Sequence, residues 1–217
     1  MHGWTDMLND WNDTSLSVRH SYNVAPTTDI GVMLPDQNNG DMHWHAMRWG
    51  MVPSWSKEFG SKYATFNARA ETVAEKPTFK NAWSKSRRCL IPMAGYYEWQ
   101  ASNSSQDATT AKQPYYISDP HLGVMLAAGL YEPWGDAGQY SCTILTKPAS
   151  EPLSGLHSRM PLLLTPASYD VWLNASTQEL DEWWPSSPDP ELIYWPVSRA
   201  VGNVRNNDER LIEPIDV

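Results

Sequence analysis

The apolar residues of this chain come in short runs, each closed by turn chemistry before it reaches helical length. Ile30 to Leu34 and Met42 to Trp49 are the first two, joined by the turn-rich Pro35-Asp36-Gln37-Asn38-Asn39-Gly40. Cys89 to Pro92, Tyr96 to Trp99, Tyr115 to Ile117, Val124 to Leu130, Cys142 to Thr146 and Ile193 to Val197 continue the series. Strands this short are stable only when they pair and share one core. Helical patterning is sparse. Thr5 caps a first helix with Met7, Leu8 and Trp11 on one face, and Thr78 to Lys85 forms a short second one. Pro166 to Leu173 and Thr177 to Trp184 follow, with Thr165 and Ser176 as their N-caps. The pattern predicts an α+β fold: a single domain over residues 1–217, built on a curved or barrel-like, mostly antiparallel sheet with peripheral helices. The polar stretch from Ala101 to Ala111 is expected as a surface loop.

A chain of 217 residues with 41% hydrophobic and 19% charged residues can form its own core without disulfides or metals. Cys89 and Cys142 both sit in apolar runs and give no disulfide framework, so they are expected buried and inert. No apolar stretch is long enough for a bilayer, and Met1 to Asp13 is polar and acidic, unlike a secretory signal. The expectation is a soluble, cytoplasmic monomer with no membrane partner. Net charge is −9, which argues against a uniformly basic nucleic-acid binder, yet the charge is uneven. Between Lys57 and Arg88 eight basic residues face three acidic ones, and local potential decides where a phosphate docks. The 12 tryptophans against 3 phenylalanines suggest an aromatic-lined groove as well as a core.

Three places carry candidate chemistry. Glu98, between Tyr97 and Trp99, is a carboxylate in aromatic surroundings; drying raises its pKa toward the range useful for acid or base work. The bland alternative is an ion pair with an arginine such as Arg69. In Asn67-Ala68-Arg69, strand alternation puts an amide and a guanidinium on one side, a grip for a sugar hydroxyl and a phosphate or else a structural polar ladder. His157 lies in a loop two residues before Arg159, where an imidazole can shuttle protons beside an anion-holding guanidinium. His43 and His45 share a strand face, but no third residue completes a metal site, so neither metal nor cofactor is expected.

Seven segments, in order, resemble the SOS response-associated peptidase (SRAP) family. They are Tyr22-Asn23-Val24-Ala25-Pro26-Thr27, Arg48-Trp49-Gly50-Met51-Val52-Pro53-Ser54-Trp55, Phe66-Asn67-Ala68-Arg69-Ala70-Glu71-Thr72 and Arg88-Cys89-Leu90-Ile91-Pro92. Gly95-Tyr96-Tyr97-Glu98-Trp99, His157-Ser158-Arg159-Met160-Pro161 and the stretch from Pro196 to Val204 complete the set. The resemblance implies recognition of abasic sites in single-stranded DNA, including single-strand/duplex junctions. It implies catalytic roles for three residues: Asn67 positioning the opened sugar, Glu98 moving protons, and His157 acting in ring opening. It also implies that Arg69 and Arg159 hold flanking phosphates, that Trp49, Pro53 and Trp55 stack or wedge bases, and that Asn23, Pro26 and Arg88 join the DNA-contacting set.

The family opens Met-Cys-Gly-Arg, and its N-terminal cysteine condenses with the abasic aldehyde to a thiazolidine crosslink. This chain reads Met1-His2-Gly3-Trp4. The expectation is therefore a SRAP-like domain that lacks the cysteine-bearing strand and binds abasic DNA without durable crosslinking. Two alternatives stand beside it: a noncatalytic single-strand or junction-binding module, and an autoprocessing peptidase.

Overall fold

The computed structural model describes residues 20–36, 40–60, 63–100, 112–136 and 138–217. The first helix expected after Thr5, the residues around His2 and the Ala101–Ala111 stretch lie outside the described residues. Within them the molecule is a single mixed α/β domain.

Strands β1 (Asp29–Pro35), β2 (Met42–Trp49), β4 (Arg88–Met93), β7 (Met125–Trp134) and β8 (Gln139–Pro148) form the frame. Their order is β7-β4-β1-β2-β8, and β7 pairs again with β8, so the sheet closes into a five-stranded barrel. Closure removes the exposed edges that an open sheet would leave. Short strands extend the frame: β3 (Asn67–Arg69) runs parallel to β8, β9 (Arg159–Pro161) runs antiparallel to it, and β10 (Leu163–Leu164) joins β7. A separate three-stranded sheet, in the order β11-β6-β5, is made of β5 (Tyr96–Trp99), β6 (Pro114–Ser118) and β11 (Ile193–Pro196).

Strand alternation splits the apolar residues into two cores. One face of each barrel strand turns Val32, Met47, Cys89, Ile91, Ala127, Cys142 and Ile144 into the barrel. The opposite face presents Met33, Leu90, Ala128, Leu130 and Leu145 to the helices, where Phe79, Trp83, Trp172 and Leu180 cover them. The barrel interior is tight. A Cβ on Gly129 would stand 2.7 Å from Cys89 Sγ and 2.6 Å from Ile91 Cδ1, so only glycine lets these layers meet.

The expected strand segments all form, with two differences. β7 and β8 run on to Trp134 and Gln139, past their apolar stretches, because the hairpin between them turns on Gly135 and Gly138 at positive φ and keeps the ladder paired to its tip. The helix expected from Pro166 starts as a 3-10 turn over Pro166–Ser168 before α2 (Tyr169–Asn174), α1 being Pro77–Ser84. Thr165 does not cap it; its hydroxyl lies 2.9 Å from that of Ser168. Ser176 does cap α3 (Thr177–Trp183), with Glu179 bonding back to complete a capping box. Among the described residues no helix is long and apolar enough to cross a membrane.

Candidate functional site

Glu98 is placed by the small sheet. Its register partner on β6 is Tyr115, and Tyr96 is paired with Ile117, so Tyr96, Glu98, Tyr115 and Ile117 share the face that packs toward the barrel core. Tyr97 lies on the opposite face, stacked on Tyr116. The aromatic shielding expected from Tyr97 and Trp99 is therefore supplied instead by same-face neighbours, as a period of two requires. Gly95 makes the entry to this strand possible: a Cβ there would fall 2.2 Å from Tyr116 Cζ and 2.6 Å from the Ile117 carbonyl.

His157 reaches Glu98 from the loop between the 3-10 turn Leu153–Gly155 and β9, with Nδ1 3.6 Å from Glu98 Oε1. Burial pushes the Glu98 carboxyl above its ordinary range, and the His157 ring and the Trp99 amide pull it part of the way back. The partner of Glu98 is thus a histidine and not Arg69. His157 Nδ1 accepts the Arg159 N–H at 3.1 Å and also lies 3.0 Å from the Arg159 carbonyl oxygen. In one neutral tautomer Nδ1 serves as acceptor for the Arg159 N–H and Nε2 holds the proton; in the other Nδ1 holds the proton and faces the Arg159 carbonyl. In the charged ring Nδ1–H has the Arg159 carbonyl as its acceptor, with the Glu98 carboxylate 3.6 Å away. One nitrogen is held for both states, and the other remains for a ligand.

Arg159 continues this line of contacts. Its guanidinium grips Glu71 with both terminal nitrogens, one at 2.9 Å, and bonds the Thr146 carbonyl at 2.6 Å. That hydrogen bonding holds the Glu71 carboxyl below its ordinary range, with help from the charge of Arg69. The charge of Arg159 is paired with Glu71 here, which makes it a brace between β9 and the turn after β3. Glu71 itself was missed by sequence reasoning, although it sits two residues beyond Arg69; only the long-range pairing shows its role.

Asn67 and Arg69 are both exposed on β3 with Ala68 turned inward, as alternation requires. Neither side chain hydrogen-bonds to another described residue. β3 and β9 both pair with β8, Asn67 lying opposite Ile144, Arg69 opposite Thr146 and Arg159 opposite Pro148. The topology thus brings Asn67 and Arg69 to the end of the barrel that carries His157, while only Glu98 and His157 are joined by direct contact.

The remaining expected DNA contacts divide. Trp55 is 68% exposed and free to stack. Pro53 is buried and cannot wedge between bases. Trp49 lies against the barrel core, its indole N–H bonded to the Phe66 carbonyl at 2.9 Å, which makes it a strut beneath β3. Pro26 is partly covered in the turn before β1. Asn23 gives its amide to the carbonyls of Val201, Asn203 and Asn206, a clamp on the C-terminal segment. Arg88 is withdrawn from the DNA set altogether. It is 3% exposed and bonds the carbonyls of Trp172, Leu173 and Ala175, closing the end of α2. Arg87 pairs with Glu132 at 2.7 Å, so the basic cluster read along the sequence is divided in space.

Cys89 and Cys142 are both fully buried, and burial raises both thiols, which leaves them unreactive. His43 and His45 do share a face, but among the described residues no three His, Cys, Asp or Glu side chains converge as a metal site would need. Sequence reasoning also missed Lys147, which lies buried with Nζ 2.8 Å from Asp189 and ties the segment before β11 to the end of β8.

Comparison with known proteins finds relatives over most of the chain. The model of the family described as SOS response associated peptidase (SRAP) matches residues 3–204. The abasic site processing protein YoqW of Bacillus subtilis (strain 168) is 34% identical over 200 residues, covering 89% of this chain and 85% of its own. The abasic site processing protein HMCES of Xenopus tropicalis is 31% identical over 231 residues, covering 91% of this chain and 67% of its own. Among solved structures, a protein from Bordetella bronchiseptica superposes with a TM-score of 0.69 at 26% identity, over 84% of this chain and 90% of that one.

Proposed function

The chain belongs to the SRAP family, and from that premise we propose that it processes abasic sites in single-stranded DNA, with Glu98 and His157 as its acid–base pair. The observation that carries this reading is the contact between a carboxylate raised by burial and an imidazole whose Nδ1 is fixed and whose Nε2 is open. Two relatives that each match most of the chain are named abasic site processing proteins, which supplies the substrate class. Arg69 offers an unspent charge for a phosphate, Asn67 an amide for a sugar hydroxyl, and Trp55 an exposed ring for a base.

A closed abasic sugar is a hemiacetal. Opening it breaks the bond between C1′ and O4′, removes the proton of the 1′-hydroxyl and delivers a proton to O4′. In the proposed step the Glu98 carboxylate accepts the hydroxyl proton, and the O–H electron pair becomes the aldehyde π bond. His157, charged beforehand, gives its Nε2 proton to O4′ as the ring bond breaks. Nδ1–H then remains bonded to the Arg159 carbonyl, so the departing proton leaves a neutral ring whose remaining proton has an acceptor. The sugar neither gains nor loses atoms, and solvent resets the pair.

The test uses the protein with two single strands of one sequence, intact or carrying one abasic residue, titrated by fluorescence anisotropy at fixed salt. Preference for the abasic strand is expected, together with faster capture of its aldehyde by a hydroxylamine probe. Equal affinity for the two strands would sink the reading. Preference without accelerated capture would reduce the site to a binding module.

A further inference from the structure

Beside Glu98 the same face of the small sheet carries a second feature, which runs from the barrel core out to the surface. Tyr115 is the direct register partner of Glu98, and Tyr194 on β11 lies diagonally across from Tyr115, with ring centroids 5.7 Å apart in an edge-to-face arrangement. Glu98 and Tyr115 are directly opposite and Tyr194 is the diagonal neighbour of Tyr115, still within reach of an aromatic ring, so the three form a stepped row on one face that leads outward from the acid–base pair. The row is open at its far end. Tyr194 is 39% exposed, and the Tyr115 hydroxyl, 3.4 Å from the Gln100 side-chain oxygen, also lies at the surface.

The aromatic rings of the opposite face behave differently. Tyr97, Tyr116 and Trp195 stack on one another at 5.2 and 5.3 Å and close over Val197, Val201 and Leu211. Those rings are explained by core packing. Tyr115 is anchored against the barrel core, and only the outward ring of the pair, Tyr194, is left for a ligand.

We propose that Tyr194, braced by Tyr115, is the stacking platform for the nucleobase next to the abasic residue on one side of the strand. The assignment rests on the abasic-site reading above and deepens it. Next to a site that holds a baseless sugar, the neighbouring base has lost its stacking partner within the strand. A ring two strands along the same sheet face supplies the replacement. Because every base has a π face, the platform favours a base over no base and reads no sequence. It also gives the strand a direction across the site, since only one neighbour can reach β11.

The experiment compares wild type with Tyr194→Ala and Tyr194→Phe on three single strands. In one the abasic residue has bases on both sides; in the others the base is missing from the 5′ or from the 3′ neighbour. Wild type is expected to bind one of the two gapped strands about fivefold or more weakly than the other, the size of one base–aromatic stack. Tyr194→Ala should lose that difference and bind the fully based strand as weakly as wild type binds the poorer gapped strand. Tyr194→Phe should keep the wild-type pattern. If Tyr194→Ala leaves all three affinities unchanged, or lowers all three alike, the platform assignment is overturned while the functional reading stands. If wild type shows no preference for abasic over intact strand, the functional reading itself falls and takes the subsite with it.

Discussion

Glu71 and Glu98 are linked through one line of polar contacts, Glu71 to Arg159, Arg159 to His157 and His157 to Glu98, yet the protein treats the two carboxylates in opposite ways. Glu71 is gripped by both nitrogens of a guanidinium and is driven below its ordinary titration range. Glu98 faces an imidazole at 3.6 Å, too long for a hydrogen bond, and burial drives it upward. The planar guanidinium matches a carboxylate edge to edge and fixes it. The imidazole leaves its partner underbonded and able to take a proton. The same residue type is scaffold in one place and reagent in the other, and what separates them is whether the partner satisfies the carboxylate.

The sharpest way to break this contrast is to neutralise each carboxylate in turn. Glu98→Gln keeps the size and polarity of the side chain but removes the base, so hydroxylamine capture of the abasic aldehyde is expected to slow by about a hundredfold or more. Affinity for abasic strands should change little. In the wild type the same rate should fall as pH drops through the raised Glu98 pKa, that is, at a pH above the ordinary carboxylate value of 4.5. A capture rate equal to wild type in Glu98→Gln would mean that Glu98 does not move the proton.

Glu71→Gln acts in the other direction. It leaves Arg159 in place but releases its charge, so a guanidinium now spent on a carboxylate becomes available to a phosphate. Tighter single-strand binding is expected, with a salt dependence of affinity steeper by about 0.7 in log–log slope, the value for one added phosphate contact. The capture rate should be affected far less than in Glu98→Gln. An unchanged salt slope would show that Arg159 cannot reach the strand even when free.

How far the sequence reveals these roles follows from which interactions are local. Strand lengths, the two faces of β3 and the Ser176 capping box are set by neighbours a few residues apart, and the sequence shows them directly. The Glu98–His157 contact crosses 59 positions and entered only through the family resemblance; the structure supplies its geometry. What misled was reading chemical type as availability. Arg88, Asn23 and Arg159 are polar residues within family motifs, yet each spends its donors on the protein's own carbonyls or on a carboxylate. On the apolar side Pro53 is buried by packing, and Trp49, half-buried, ties its indole N–H to the Phe66 carbonyl. Donor satisfaction is a three-dimensional count, and no spacing rule within one sequence carries it.

The smallest effect expected is also the one that tests the contrast without any DNA. A carboxyl whose folded pKa is raised is easier to keep protonated in the folded state than in the unfolded chain. Its contribution to stability is therefore full below the unfolded value near 4.5 and is lost as pH rises through the folded value. Once pH has risen past the folded value, Glu98 is charged against the cost of burial, partly offset by His157, so Glu98→Gln should melt slightly higher than wild type there. The gain should vanish under acid conditions where the carboxyl is protonated in both states. Glu71 has the reverse sign: its depressed pKa stabilises the fold above the unfolded value, and that support is lost as pH falls through the folded value. Glu71→Gln should accordingly melt lower than wild type at neutral pH, with the difference closing toward acid. Thermal melts of the three proteins across that range, followed by circular dichroism, would place the two variants on opposite sides of wild type once pH is past the folded Glu98 value. Finding both on the same side would mean that Glu98 is held in its charged form as firmly as Glu71, and the case for it as a proton acceptor would lose its physical basis.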